Sequence, residues 1–386
     1  MLTGERDVTD QLATGSGAGS STPQKTALHD VHEELGARFT DFGGWDMPLK
    51  YGSELDEHKA VRTDAGIFDL SHMGEVRVSG PQAAEALDHA LISRLSAVAV
   101  GKAKYSMMCT EDGTIIDDLI TYRFGDDEFL VIPNAGNAPT VAAELVSRAE
   151  SFDCTVADES SETSLIAVQG PNAERVLASL PGADVRNLAE VKYYAFFRGT
   201  VAGHDVIIAR TGYTGEDGFE IFVPNSGAHD VWAAIMGTDA VTPCGLASRD
   251  TLRLEAGMPL YGHELDRSHT PVDAGLGVLA ATKSKDAFVG RDAIVAAKKN
   301  GAARKLVGLK GDGRRAARAG YTVLTSEDKE VGEVTSGALS PTLGYPVAMA
   351  YVDADVAEPG TALSVDIRGK HYPYTVVQLP FYKRDR

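Results

Sequence analysis

Two stretches of the chain follow one plan, and that plan limits its fold more than any other feature. Residues 75–79, Glu-Val-Arg-Val-Ser, alternate as a half-buried strand does. Gly80-Pro81 breaks the chain next, with Pro81 suited to the first position of a helix. Ala84, Leu87 and Leu91 then fall at helical spacing. Residues 164–169 form a second, apolar strand and Gly170-Pro171 a second break. Ala173, Val176, Leu177 and Leu180 then give a second apolar helix face. Both copies read Gly-Pro-x-Ala. A strand that turns sharply into an amphipathic helix buries both on a shared core, so the repeat predicts two related α+β halves.

Further strands are expected at 128–132, 205–209 and 218–223. In the last, Phe219, Ile221 and Val223 take one face, Glu220 and Phe222 the other. Residues 139–150 and 288–300 look helical. From about Arg304 the pattern changes. Residues 305–310, 331–335, 347–352, 362–366 and 374–379 are strand-like, with Gly and Pro between them. That predicts a small all-β domain, a barrel or a sandwich. Residues 14–24 have the Gly/Ser-rich composition of a flexible linker. They lack the third glycine and the leading strand of a dinucleotide fingerprint. The expected division is a flexible extension over 1–24, a core of two interleaved α+β halves over 25–300, and a barrel domain over 301–386. A chain of 386 residues has room for two or three domains.

Composition removes several classes of function. No run of about 18 apolar residues offers a membrane span. The first ten residues are polar and acidic, unlike a signal peptide, so a cytoplasmic protein without a membrane partner is expected. Lys and Arg number 37 against 55 Asp and Glu, a net charge of −18 that repels phosphate backbones and disfavours nucleic acid. Such charge fits adaptation to high salt, where screening tolerates it, or an ordinary acidic enzyme. Cys109, Cys154 and Cys244 are far apart and odd in number, so neither a disulfide framework nor a zinc pair is expected, and all three read as small buried side chains. His29, His32 and His263 lack the second histidine of a His-Glu-x-x-His motif, and no metal is expected.

Three runs hold residues that could carry chemistry. In Gly113-Thr-Ile-Ile-Asp-Asp-Leu-Ile120, two acids interrupt an apolar strand and point to opposite faces. Either they end the strand and stay wet, or at least one is buried with a tuned pKa. Spacing alone leaves these readings equal. Residues 210–220, Arg-Thr-Gly-Tyr-Thr-Gly-Glu-Asp-Gly-Phe-Glu, make a glycine-rich loop returning into a strand, and taken alone Glu220 reads as a surface or cross-strand residue. Residues 245–255 allow a helix whose Arg249 and Arg253 lie in reach of nearby acids, the usual mark of a solvated charged face.

Seven segments in order, over Thr26–Lys383, resemble the T-protein of the glycine cleavage system. They are Asp41–Pro48, Phe68–Glu75, Tyr105–Cys109, the Ile-Ile-Asp-Asp run, Arg210–Glu220, Gly245–Glu255 and Ser340–Gly344. The resemblance implies a cloverleaf of two related α+β folate-binding domains and a C-terminal β-barrel. It implies an aminomethyltransferase that moves a methylene group from the aminomethyl-dihydrolipoyl arm of the H-protein to tetrahydrofolate, releasing ammonia. Tetrahydrofolate is the co-substrate and the lipoylated H-protein the partner. Carried over residue by residue, Asp118 is the catalytic acid and Glu220 the pterin clamp. Tyr105 and Tyr213 line the folate cavity. Asn134 lies beside the pterin, with Pro133 before it where the family often has valine. Arg249 pairs with acids or the folate carboxylate, and Tyr382 is a C-terminal folate contact. The same architecture also serves folate-dependent demethylases of small amines and a folate-binding maintenance protein. Asp118 and Glu220 together favour the transferase.

Overall fold

The structure, a computed structural model, describes residues 22–186, 188–239 and 241–384. Most of the expected flexible extension, residues 1–21, lies outside the described residues. Gln24 is described, and its backbone bonds Gly44 and Asp46. The chain forms two units: residues 1–75 with 159–252, and residues 76–158 with 253–386.

The first unit is built on a six-stranded sheet. Its order is Phe196–Val201, His204–Ala209, Gly218–Pro224, Thr163–Gln169, Gly66–Asp69 and Thr242–Pro243. Every pair is antiparallel except the last. Helices Ala173–Ala178 and Ala228–Met236 bring Val176, Leu177, Trp232 and Ile235 into one core with Ile166, Val168, Phe219 and Ile221.

The second unit holds a five-stranded antiparallel sheet, in the order Lys102–Cys109, Ile115–Arg123, Glu128–Ile132, Val76–Ser79 and Thr155–Asp158. Helices Ala83–Ala90 and Ala138–Ala149 pack Leu87 and Leu145 against Val76, Val78, Phe129 and Val131. The rest of the unit includes a closed barrel of six strands. These run Arg304–Gly311, Pro346–Asp353, Glu330–Leu339, Thr322–Leu324, Ala362–Asp366 and His371–Val377, the last pairing back to the first. Closure leaves no sheet edge exposed and decides between the barrel and the sandwich.

The Gly-Pro repeat is a repeat of topology. In each sheet a strand leads through the break into a helix, then through a three-stranded meander whose last strand pairs with the first. Matching elements lie ninety residues apart: the helices begin at Ala83 and Ala173, the short 3-10 turns at Ala135 and Asn225, and the following helices at Ala138 and Ala228. Gly80 and Gly170 have φ of +130° and +136°. A Cβ on Gly170 would lie 2.3 Å from the carbonyl oxygen of Asp64, and one on Gly80 2.7 Å from the Cα of Cys154. Only glycine suits both the dihedral and the approach.

Several expectations need correction. Both helices begin two residues after their proline, because Pro81-Gln82 and Pro171-Asn172 complete a turn first. The last helix of the second α+β stretch begins at Arg291, not Phe288, behind the left-handed Gly290. The barrel has a sixth strand, Thr322–Leu324, too short to show alternation, and its final strand is His371–Val377 rather than 374–379. Cys109 and Cys244 are buried, but Cys154 is only half-buried.

Candidate active site

Strand Ile115–Arg123 runs straight through the aspartate pair. The pair is therefore mid-strand, and the wet strand-end reading fails. Asp117 has no exposed surface and Asp118 is half-buried. The neighbouring ladder pairs Ile120 with Ile132 and stops there. Pro133 follows and has no N–H to continue it. The next residue, Asn134, uses its side chain instead: its Nδ2 donates to the Asp118 carbonyl at 2.9 Å.

The same Nδ2 lies 2.9 Å from Oδ1 of Asp118 and 2.9 Å from Oδ1 of Asp117. Asp117 also accepts from the Asn134 backbone N–H at 2.9 Å and from Asn137 Nδ2 at 2.7 Å. Tyr105 donates its hydroxyl to Oδ2 of Asp118 at 2.8 Å. Burial and then the charge of Asp118 push Asp117 up to about 8, against the pull of the asparagine donors. Burial also raises Asp118, against the bonds from Tyr105 and Asn134. Two carboxylates this close do not both ionise freely, so the pair is suited to holding one proton near neutral pH.

Tyr105, Asp118 and Asn134 thus form one hydrogen-bonded group. Asn137 and Tyr261 belong beside them and carried no signal in the sequence. The Tyr261 hydroxyl donates to the Ile115 carbonyl at 3.3 Å. Burial, followed by the charge of Asp117, pushes it up to about 12. In the same unit, Tyr382 is held by its N–H on the Glu255 carbonyl at 2.8 Å.

The other unit gathers Tyr213, Glu220 and Arg249. Glu220 lies in the central strand Gly218–Pro224, opposite Ala209 and Ala167. It is buried, not a surface residue, and the Thr211 hydroxyl donates to its carboxylate. The loop before it is tightly fixed. Arg210 binds Asp217 and Glu174 and the carbonyls of Leu188 and Val191. Arg62 pairs with Glu216 at 3.0 Å. Gln169 bonds the Thr211 carbonyl and the Thr214 hydroxyl, and a Cβ on Gly212 would lie 2.0 Å from its Oε1. Gly212 leaves the space that the Gln169 amide occupies.

Arg249 places its guanidinium over the Tyr213 ring, 4.7 Å from the centroid. Burial lowers its pKa, while Tyr213 and Glu220 act to raise it. No hydrogen bond among the described residues ties this guanidinium down. A half-buried cation with donors to spare, near a buried carboxylate, suits a ligand bearing both N–H groups and negative charge. His72 is fully buried, and burial followed by the Arg249 charge pushes it down to about 4, so it is neutral near pH 7. Its Nδ1 has no hydrogen-bond partner among the described residues.

The helix Leu246–Glu255 corrects another expectation. Arg253 and Glu255 are buried rather than solvated. Glu255 accepts the hydroxyls of Ser340 and Thr342 and the Thr342 N–H. The Ser-Pro-Thr-Leu-Gly run therefore serves as a cradle for one carboxylate. His29 and His32 are buried as well, and His32 bonds Asp69 at 2.9 Å and the Tyr51 hydroxyl at 2.9 Å. Among the described residues no group of three or more His, Cys, Asp or Glu could hold a metal ion, and no helix is long and apolar enough to cross a membrane.

Residues 28–284 match the family described as GCVT N-terminal domain, and residues 304–383 the glycine cleavage T-protein C-terminal barrel domain. An aminomethyltransferase of Corynebacterium jeikeium is 63% identical over 94% of this chain and 99% of its own. One of Cutibacterium acnes is 56% identical over 94% and 100%. The crystal structure of glycine cleavage system aminomethyltransferase T from Bartonella henselae superposes with a TM-score of 0.87 at 38% identity, covering 93% of this chain and 98% of that one.

Proposed function

The chain belongs to the glycine cleavage T-protein family, the aminomethyltransferases of the glycine cleavage system, and from that premise we propose how its residues divide the work. The co-substrate is tetrahydrofolate and the donor is the aminomethyl-dihydrolipoyl arm of the H-protein. One folate nitrogen bonds the methylene carbon as its bond to ammonia breaks, and the second folate nitrogen bonds it as its bond to the lipoyl sulfur breaks; the two folate N–H protons pass to the leaving ammonia and the leaving thiolate, which frees the arm as dihydrolipoyl. That carbon becomes iminium-like as ammonia leaves. Asp118 supplies the negative charge that stabilises it and helps to place the folate nitrogen.

Glu220 is the pterin clamp. A carboxylate accepts two parallel hydrogen bonds from the 2-amino group and the adjacent ring N–H. Thr211 occupies part of its accepting capacity and fixes its direction. Arg249 receives negative charge from the folate. Tyr105 orients Asp118 and Tyr213 supports Arg249, so both act on the ligand at one remove as well as lining its cavity. Asn134 and Tyr382 complete the contacts. Residues 25–300 provide the folate-binding core and 301–386 the barrel domain, and the enzyme acts in the cytoplasm. No metal is assigned to any step.

The observation that carries this reading is a half-buried Asp118 in the middle of a strand, with Tyr105 and Asn134 as dedicated donors. The test is a titration with tetrahydrofolate at low and high salt, with aminomethylated H-protein then added. 5,10-Methylenetetrahydrofolate and ammonia in equal amounts are the expected products. Folate binding without turnover would refute the H-protein as donor. Activity that survives only at high salt would identify the acidic surface as a salt adaptation.

A further inference from the structure

The geometry points to Asp117 as the positioning residue of the acid pair: its carboxylate holds Asn134, and Asn134 holds Asp118 in the orientation that the transfer requires. This inference rests on the reading of Asp118 as the acting acid. Asp117 has no exposed surface, so it acts through its neighbours and not on a ligand. Three donors converge on it: the Asn134 backbone N–H, the Asn134 amide and the Asn137 amide, at 2.9, 2.9 and 2.7 Å. Asn134 is thus gripped at both ends. Its amide nitrogen has two hydrogens but three oxygens at 2.9 Å, two of them from Asp118.

Two consequences follow. First, the asparagine amide sits between both carboxyl groups, so their protonation is linked through a shared donor as well as by proximity. When Asp117 holds the proton, the single charge falls on Asp118, where Tyr105 and Asn134 both donate to it. Secondly, the amide nitrogen of Asn134 is used up. Its Oδ1 makes no hydrogen bond among the described residues, so a pterin beside it meets an acceptor and must offer an N–H.

A purely structural role for Asp117 would be to build the corner from strand Glu128–Ile132 into the 3-10 turn Ala135–Asn137. The other half builds the same corner without those residues. Ninety residues on, Pro224 stands for Asn134 and Gly227 for Asn137, and the turn Asn225–Gly227 and its helix form all the same. The ladder register, which pairs Ile207 with Phe222 as it pairs Ile120 with Ile132, puts His204 at the place of Asp117. The aspartate and its two amides are therefore additions to the corner, not conditions for it.

The test compares Asp117→Asn, Asn137→Ala and Asp118→Asn in the full chain, by steady-state turnover with aminomethylated H-protein over pH and by equilibrium binding of tetrahydrofolate. Asp117→Asn keeps the shape but turns an acceptor into a donor facing the Asn134 N–H groups. Its kcat is expected to fall about 100-fold, as a displaced reacting group would produce. Folate affinity should stay within about threefold. The pH limb of kcat that reports Asp118 should move to higher pH, because a displaced Asn134 no longer donates to its carboxylate. A structural role alone would not move that limb. A kcat within about threefold of the parent, with the limb in place, overturns the inference. If Asp117→Asn does not fold, Asn137→Ala decides: a drop in kcat of about tenfold at unchanged folate affinity is expected, and an unchanged kcat overturns the inference. Full turnover in Asp118→Asn would instead remove the premise. Loss there with none in Asp117→Asn removes this inference alone.

Discussion

Replacing Arg253 with methionine takes one partner from a buried ion pair and leaves the other in place. The two side chains are 2% and 0% exposed and meet at 2.9 Å. Arg253 also donates to the Ser336 hydroxyl at 2.7 Å and to the Met258 carbonyl at 3.3 Å. In Arg253→Met, Glu264 keeps the Leu260 N–H and the Thr335 hydroxyl as donors but loses its counter-charge. Stranding a buried carboxylate in this way costs about 3–5 kcal/mol. Adding Glu264→Gln removes the stranded charge. The new amide oxygen can accept from Leu260, and the amide nitrogen can donate to Thr335, whose hydroxyl already reaches the Met349 carbonyl. The double variant should thus lie within about 1–2 kcal/mol of the parent. Equilibrium urea unfolding of the three proteins at pH 7, read by circular dichroism, measures the differences. A single variant that loses less than about 1 kcal/mol, or a double variant no better than the single, refutes the reasoning.

Asp118→Asn should cut kcat by about 100-fold or more while tetrahydrofolate affinity changes little; equal losses in both, by stopped-flow turnover and calorimetry, would make Asp118 a binding residue only. Glu220→Ala should do the reverse, with folate affinity down about 100-fold for two charge-assisted bonds of about 1.5–3 kcal/mol each, partly offset by water; unchanged affinity removes the clamp assignment. Asp117 also makes stability depend on pH. Its folded pKa of about 8 lies above the ordinary 3.8, so the folded chain binds the extra proton between those values. That contribution is complete below about pH 4 and is lost as pH rises through 8, by at most about 1.4 kcal/mol per pH unit. Asp117→Asn should flatten this fall in urea unfolding from pH 5 to 9, and an identical slope would count against a raised pKa.

What the sequence revealed follows from how local each signal is. Strands Glu128–Ile132 and Ala362–Asp366 match their expected bounds to the residue: in the second, one buried face writes itself into every second position, and the first is apolar from Phe129 on because both its faces are covered. The acid pair was visible as two charges inside an apolar run, but burial could not be read there, since the bonds that permit it come from Asn134 and Asn137 on another strand's exit. Glu220 was harder still. Alternation placed it on the second face of its strand, and nothing nearby showed that this face is covered too. The helix Leu246–Glu255 misled for the same reason. Its charges looked like a wet face because Ser336, Ser340 and Thr342, which satisfy them, lie more than eighty residues downstream.

The duplication offers a control that a single domain lacks. Because matching elements are ninety residues apart, each half shows what the fold asks for at a position where the other half carries chemistry. Glu220 stands where the first half has Leu130, which is buried and apolar. The fold's own choice at that place is hydrocarbon, and a carboxylate there needs Thr211 to make it tolerable. By ladder register Asp118 stands where the second half has Asp205, which is exposed and needs no partner from a neighbouring strand. The same residue type is thus exposed in one half and half-buried with donors from Tyr105 and Asn134 in the other. Glu220 thus departs from its twin in residue type, at a cost to stability, and Asp118 departs from its twin in exposure and in its donors. A sequence drifting under stability alone would replace Glu220 with hydrocarbon, so its retention is the departure that the proposed pterin clamp accounts for.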